Sequence, residues 1–292
     1  MNRLWKQFFG CGIAKSLDDF GMQGELPKNQ ELLDWLACEF MESGWDLKHM
    51  VGLMLNSHTY RQSSVLSKKA REIDPYDREY SAQGRWRLEA ELVRDNALSI
   101  SGLLVSKIGG PSVKPYQPDG YWENLNFPVR AYEQSTGEDQ YRRGLYVWWQ
   151  RSYLHPSLFA FDAPTREECV AERNRSNIPQ QALVLLNDPT YVEASRAFAA
   201  RMIKEGGDKV DDRIRWAWRQ VLDRSPRKDE LQITQQLLTK HLGEYKADTK
   251  AADAILQVGL APIPNGIDHS ELAAWTSVAR LIFDLHETIT RN

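Results

Sequence analysis

Cysteine is scarce. The three present, Cys11, Cys38 and Cys169, are odd in number, far apart and free of any C-x-x-C or C-x-x-C-H arrangement. At most one disulfide can form, and covalent haem attachment within this chain is excluded. Net charge is nearly absent too: 37 Lys and Arg against 40 Asp and Glu leave −3, which gives no electrostatic reason to expect nucleic acid or an anionic membrane as partner. No apolar run approaches the roughly 18 residues that a spanning helix needs. The amino end, MNRLWKQFFGCG, lacks the apolar stretch and cleavage site of a signal peptide. As written, the chain reads as soluble. None of the six histidines pairs at the spacing of a zinc helix, and His286-Glu287 meets Thr290 where H-E-x-x-H needs a second histidine, so no metal is expected. No G-x-S-x-G occurs. Ser152 and His155 are close in sequence, but triads are assembled in space.

What is present is helical periodicity around an aromatic, irregular middle. At 292 residues a chain buries roughly three quarters of its unfolded surface. Residues 2–27 read as a short helix and a loop, with glycine turns (Gly10 and Gly12, Gly21 and Gly24) around Asp18 and Asp19. Leu33, Leu36, Ala37, Phe40 and Met41 predict a helix over 29–43, with Cys38 on its apolar side as a buried thiol. Asp46 caps the next, through Leu47, Met50, Val51, Met54 and Leu55, making a helical hairpin. Residues 57–85 read as loop with one turn of helix. A stripe through Ala90, Val93, Ala97, Ile100 and Leu104 predicts a helix over 87–107, stopped by Gly109, Gly110 and Pro111. From Pro111 to Tyr141 prolines and glycines alternate with Tyr116, Tyr121, Trp122, Phe127 and Tyr132, an aromatic load that argues against disorder. Leu145 to Trp149 leans toward a buried strand. Thr165 with Glu168 forms a capping box, and Asn177 before Pro179 and Asp188 before Pro189 mark two more helix starts. Helices then follow over 191–204, 210–221, from Ser225-Pro226, and from Leu272 to Leu285. The expected fold is mainly α, an irregular multi-helix domain of helical hairpins with a loop-rich aromatic middle and at most a small β element. A family core over 1–205, with its irregular middle at 111–190, would be followed by carboxy-terminal hairpins over 206–292, the seam lying near Gly206 to Asp208.

Ordered motifs run the length of the chain: N-R-x-W-x-x-x-F-G at Asn2 to Gly10, D-D-F-G at Asp18 to Gly21, LLDWLA at Leu32 to Ala37, GWDLK at Gly44 to Lys48 and T-Y-R-Q at Thr59 to Gln62. RLEAELVRD at Arg87 to Asp95, RRGLY at Arg142 to Tyr146, FDAP at Phe161 to Pro164 and P-Q-Q-A-L-x-L-L-N-D-P at Pro179 to Pro189 complete the series. The sequence resembles the domain of unknown function 1553 family, the carboxy-terminal domain of large planctomycete-type proteins that also carry a cytochrome-c-like domain and a companion uncharacterised domain. The resemblance implies those two domains as partners, haem c only in a partner domain with no cofactor in this chain, and a periplasmic or exported location. It brings no catalytic residues. The family's Asn-Arg pair is internal, whereas here it follows Met1, so the resemblance implies a fragment truncated at its amino end.

The stretch from Arg142 to Tyr191 concentrates the polar side chains most costly to bury. Arg142, Arg143, Arg151, Arg166, Arg173 and Arg175 stand near Asp162, Glu167, Glu168, Glu172 and Asn187, and bidentate pairs among them would clasp the irregular middle onto the helices. Otherwise the arginines hold an anion. The candidate anion- or partner-binding set is Arg142, Arg143, Tyr146, Arg151, His155, Asp162, Arg173, Asn177, Gln181 and Asn187. Two functions stay open: an accessory or binding module of an exported, haem-associated multidomain system, or a hydrolase or lyase acting on an anionic polysaccharide. For the second, Asp18, Asp19, Glu123, Glu133 and Asp162 are the available carboxylates. Tyr116, Tyr121, Trp122, Tyr146, Trp148 and Trp149 would then offer surfaces to a glycan.

Overall fold

The computed structural model describes residues 1–19, 23–122 and 131–291. Phe20 and Gly21 of the D-D-F-G motif, Glu123, Phe127 and Pro128 lie outside the described residues. The chain is mainly α-helical: twelve α-helices and one two-stranded sheet occur among the described residues. It divides into two compact units, one of Met1–Arg87, Val170–Glu172 and Thr290–Asn292, the other of Leu88–Cys169 and Arg173–Ile289.

The first unit holds α1 (Asn2–Phe9), α2 (Gln30–Glu42), α3 (Leu47–Asn56), α4 (Lys68–Ile73) and the strands β1 (Trp86–Arg87) and β2 (Thr290–Arg291), which pair antiparallel. In α1, Trp5 and Phe9 sit one turn apart on the buried face and stack with ring centres 3.9 Å apart. Asn2 places its amide against the backbone of Ala14, donating to the carbonyl at 2.8 Å and accepting from the N–H at 3.0 Å. That reciprocal pair holds the loop after α1 in place. Asn29 caps α2 through Leu32 N at 3.0 Å, and Asp46 caps α3 through Lys48 N at 2.8 Å and His49 N at 3.1 Å. Trp5, Phe9, Ile13, Leu36, Met50 and Met54 form the small core. Cys38 is exposed rather than buried, because the buried face of α2 is narrow: Leu36 alone is fully enclosed.

The second unit is organised on α8 (Pro189–Glu205) and α12 (His269–Phe283), packed against each other and surrounded by α5 (Ala90–Ser101), α6 (Pro156–Ala160), α7 (Pro179–Asn187), α9 (Val210–Leu222), α10 (Lys228–Ala247) and α11 (Thr249–Leu256). Eleven of the fifteen residues of α12 are buried, against two of the twenty in α10. A helix enclosed on all sides is a core element, whereas one with a single enclosed stripe is a cover. Ala194, Phe198, Ala199 and Met202 on α8 and Ala273, Val278, Ala279 and Ile282 on α12 are each 0% exposed. α8 and α9, which flank the Gly206 to Asp208 stretch, both belong to this unit.

Several expectations are corrected. α5 ends at Ser101 rather than near Lys107, because Gly102 adopts the left-handed conformation (φ 82°) that closes a helix. Leu145 to Trp149 is not a strand: Gly144–Tyr146 makes a single 3-10 turn, and Val147 forms only an isolated parallel bridge to Val113. Thr165 and Glu168 start no helix, since Arg166 between them has φ 64°. Asn177 is not a cap: Ile178 flanks α7 without a side-chain bond, and Pro179 alone sets the first turn. α10 begins at Lys228, where Glu230 reaches back to Arg227 N at 2.7 Å. The short helices α6 and α11 have no counterpart in the periodicity.

Candidate functional site

The interior of the second unit contains a web of buried charge. Arg94 on α5 is 2% exposed and donates to the carbonyls of Arg142 and Gln140, each at 2.6 Å. Arg142, itself 1% exposed, donates onward to Pro111 O at 2.8 Å and to the carbonyls of Gly109 and Lys107. Its guanidinium lies 4.0 Å over the ring of Tyr146, whose hydroxyl accepts from Gly109 N at 2.8 Å. Arginine suits this task because its planar fork satisfies several carbonyls that a turn leaves without partners. The hydrogen-bond partners are therefore backbone carbonyls, with Asp95 3.9 Å from Arg94, and Arg142 takes none of the acids expected to pair with it.

A second strand of the web centres on Glu193 of α8, 1% exposed. Its carboxylate accepts from Tyr116 OH at 2.8 Å, Tyr141 OH at 2.9 Å and Ala261 N at 2.5 Å, with Arg196 3.6 Å away. Arg196 donates to the carbonyls of Leu256 and Ala261, and Tyr116 OH accepts from Leu260 N at 2.8 Å. This segment passes so close that a Cβ on Gly259 would fall 2.3 Å from the Glu193 carboxyl carbon, and its φ of 90° excludes most side chains as well. Burial, reinforced by the Glu193 charge, pushes the Tyr141 hydroxyl up to about 12 and Tyr116 higher still.

His155 is 5% exposed; its Nε2 donates to Tyr116 O at 2.5 Å, which leaves Nδ1 to accept from the Ser157 hydroxyl at 2.9 Å. Burial holds its pKa below the ordinary value despite the nearby Asp188 carboxylate, and burial raises Asp188 despite His155. A serine hydrogen-bonded to a histidine looks like a nucleophile and its base. Ser157, however, is 3% exposed, so no substrate reaches it. Ser152 is exposed, and the His155 ring is committed to other partners.

The remaining candidates separate. Arg173 pairs with Glu89 at 3.0 Å and Glu91 at 2.7 Å, and Arg175 with Glu89 at 3.4 Å. Asp162 takes Ser176 N at 2.6 Å and the Ser176 hydroxyl at 2.8 Å; Gln181 donates to Ala160 O at 2.9 Å. Arg143, Arg151, Asn177 and Asn187 are exposed. Arg142 and Tyr146 thus share one turn, and Asp162 and Gln181 meet through Ser176 at 3.3 Å, but the ten do not converge on one point. Sequence reasoning missed Arg94, Glu193 and Arg196. A signal existed for Arg94, which follows Ala90 by four and precedes Ala97 by three, on the stripe that already predicted α5.

The first unit presents a different feature, an open groove of about 670 Å³. Trp5, Leu32, Trp35, Leu36, Leu53 and Met54 form its apolar lining, with Lys48 and His49 also lining it. His49 Nε2 meets Glu39 at 2.6 Å. Gly52 leaves the lining unobstructed, since a Cβ there would meet nothing within 4 Å. Trp35 is 51% exposed, and Met41, Trp45 and Leu47 on the same hairpin are at least half exposed. Among the described residues no group of three His, Cys, Asp or Glu side chains is placed to hold a metal ion, and no helix is long and apolar enough to cross a membrane.

No curated protein and no solved structure matches the chain. The family model described as PSD1, protein of unknown function (DUF1553), matches residues 1–238, and its span takes in the groove of the first unit together with Arg94, Arg142, Glu193 and Arg196. By that match over most of its length, the chain belongs to the PSD1 family of proteins of unknown function, DUF1553.

Proposed function

We propose that the chain is an accessory or binding module of an exported, haem-associated multidomain system, and that it holds a partner domain rather than performing chemistry. The supporting observation is the groove between α1, α2 and α3. Tryptophan and leucine surface on this scale remains costly in water until something covers it, and a helix-wide apolar channel is the form in which an amphipathic helix is received. The occupant that fits is a helix of the cytochrome-c-like or companion domain, with apolar residues at i, i+3, i+4 and i+7 and an acid opposite Lys48. Such a system is periplasmic or exported, and its haem belongs to the partner.

Calorimetric titration of the full chain with each recombinant partner domain tests this. Saturable binding at about micromolar Kd is expected with one of them, weakened at least about tenfold by Trp35→Ala together with Leu53→Ala. Absence of heat with both domains at about 100 μM would end the proposal. The alternative of an enzyme cleaving an anionic polysaccharide finds less support, because Asp162 is committed to Ser176 and Arg142 to backbone carbonyls.

A further inference from the structure

The parallel bridge between Val113 and Val147 fixes a neighbouring residue as well. Val113 N donates to Tyr146 O at 2.8 Å and Trp148 N donates to Val113 O at 2.7 Å, so Lys114 emerges beside Trp148. Lys114 is pinned again through Ser135: its N–H donates to Ser135 Oγ at 2.9 Å, and its carbonyl accepts from Ser135 N at 2.9 Å. From this anchored backbone the ammonium reaches into a cage of three rings, 5.3 Å from the centre of Trp148, 5.7 Å from Tyr132 and 5.8 Å from Trp122.

The rings brace one another. Trp122 is tilted against Trp148 at 5.2 Å and meets Tyr132 edge-on at 5.1 Å, while Tyr132 OH donates to Pro115 O at 2.5 Å. Trp122 is 6% exposed, whereas Lys114, Tyr132 and Trp148 keep part of their surface in solvent. Ring faces attract an ammonium but leave its charge uncompensated. Among the described residues no carboxylate forms an ion pair with Lys114, and the buried Trp122 Nε1 has no hydrogen-bond acceptor. Among the described residues, then, neither the Lys114 ammonium nor the Trp122 Nε1 meets an anionic or strongly accepting oxygen.

We propose that the Lys114 cage is a binding subsite for the anionic substituent of a sugar ring, a carboxylate or a sulfate ester. The ammonium takes the charge, and the part-exposed Trp148 and Tyr132 rings receive the apolar C–H face of the sugar. This subsite lies in the second unit and stands independently of the groove.

Tryptophan emission of the full chain is titrated with tetragalacturonate, a sulfated galactan tetrasaccharide, neutral tetragalactose and sodium sulfate. Saturable quenching is expected with at least one charged sugar, the neutral sugar and sodium sulfate binding at least about tenfold more weakly. Lys114→Met should lose about tenfold or more in affinity and Lys114→Arg should stay within about threefold, because Arg keeps the charge over the rings. Whichever charged sugar binds identifies carboxylate or sulfate as the recognised group. Failure of both charged sugars to saturate below about 10 mM, a Lys114→Met variant that binds like the parent, or sodium sulfate binding as tightly as the sugars would each overturn the proposal. If Lys114→Met does not fold, Trp148→Ala and the salt dependence of the parent decide: binding must weaken with the ring removed and with rising ionic strength.

Discussion

The two units solve opposite problems. The second takes charge inside and ties most of it down: Arg94, Arg142, Glu193 and Arg196 are at most 2% exposed and bond to carbonyls, hydroxyls and one another, with Arg94 Nε and Arg142 Nε left without a partner among the described residues. The first leaves apolar surface outside, with Trp35 at the open groove 51% exposed and Trp45 on the same hairpin 64% exposed. Buried polar groups held by several partners each specify one arrangement of loops and helices, whereas exposed apolar groups specify nothing until a partner arrives. The difference teaches where to look for function: buried arginine marks construction in the second unit, and the surfaces left unfinished, the groove of the first unit and the Lys114 cage of the second, are where recognition is proposed.

The sharpest way to break this contrast is Glu193→Ala. It removes the acceptor of two tyrosine hydroxyls and one backbone N–H while leaving Arg196 buried, and a loss of about 3–5 kcal/mol in urea unfolding is expected. A loss below about 1 kcal/mol would show that the web is ornament rather than construction. Next in size is the acid response. The folded pKa of His155 lies below the unfolded value of 6.5, so its contribution to stability is present above pH 6.5 and lost as pH falls through the folded pKa. Asp188 lies above its unfolded value of 3.8 and acts with the opposite sign, its contribution present below pH 3.8 and lost as pH rises through its folded pKa. Stability should therefore decline from pH 7 toward pH 5 through His155, and His155→Gln should flatten that decline in melts followed by circular dichroism. An unchanged slope would remove His155 from the account.

In the first unit the expected effects are smaller. Asp46→Ala deletes a cap that serves two N–H groups of α3 and should cost about 1 kcal/mol, read in the same unfolding experiment. Trp35→Ala should shift stability by less than about 0.5 kcal/mol, since the ring is half in solvent, while measurably weakening capture of the partner domain. A large stability loss at Trp35 would make the groove a core element and dissolve the contrast between the units.

The helices with one clear apolar stripe were legible because burial on a single face imposes a 3.6-residue period, as in Leu33, Leu36 and Phe40 of α2 or Met50 and Met54 of α3. The caps Asp46 and Asp188 were legible for the same local reason, whereas Asn29, Ser67, Asp248 and Asp268 were not singled out as caps. α6 was not, because five residues carry no measurable period. The strand expected at Leu145 to Trp149 failed because apolar residues on both alternate faces carry no period to fix a conformation, and the segment is not even enclosed: Leu145 is 71% exposed. Arg142 was correctly singled out as costly, yet its carbonyl partners at 107–111 come from a turn with no acid to announce it.

Composition and periodicity by themselves determined a mainly helical chain with few cysteines, little net charge and a crowded aromatic middle, since these depend on neighbours three or four residues away. Which arginines are enclosed, which acid receives Tyr116 and Tyr141, which rings surround Lys114 and which tryptophans stay in water were decided only by the tertiary structure. A hydrogen bond or a ring contact depends on distances between residues that are remote in sequence, and the chain carries no local record of them.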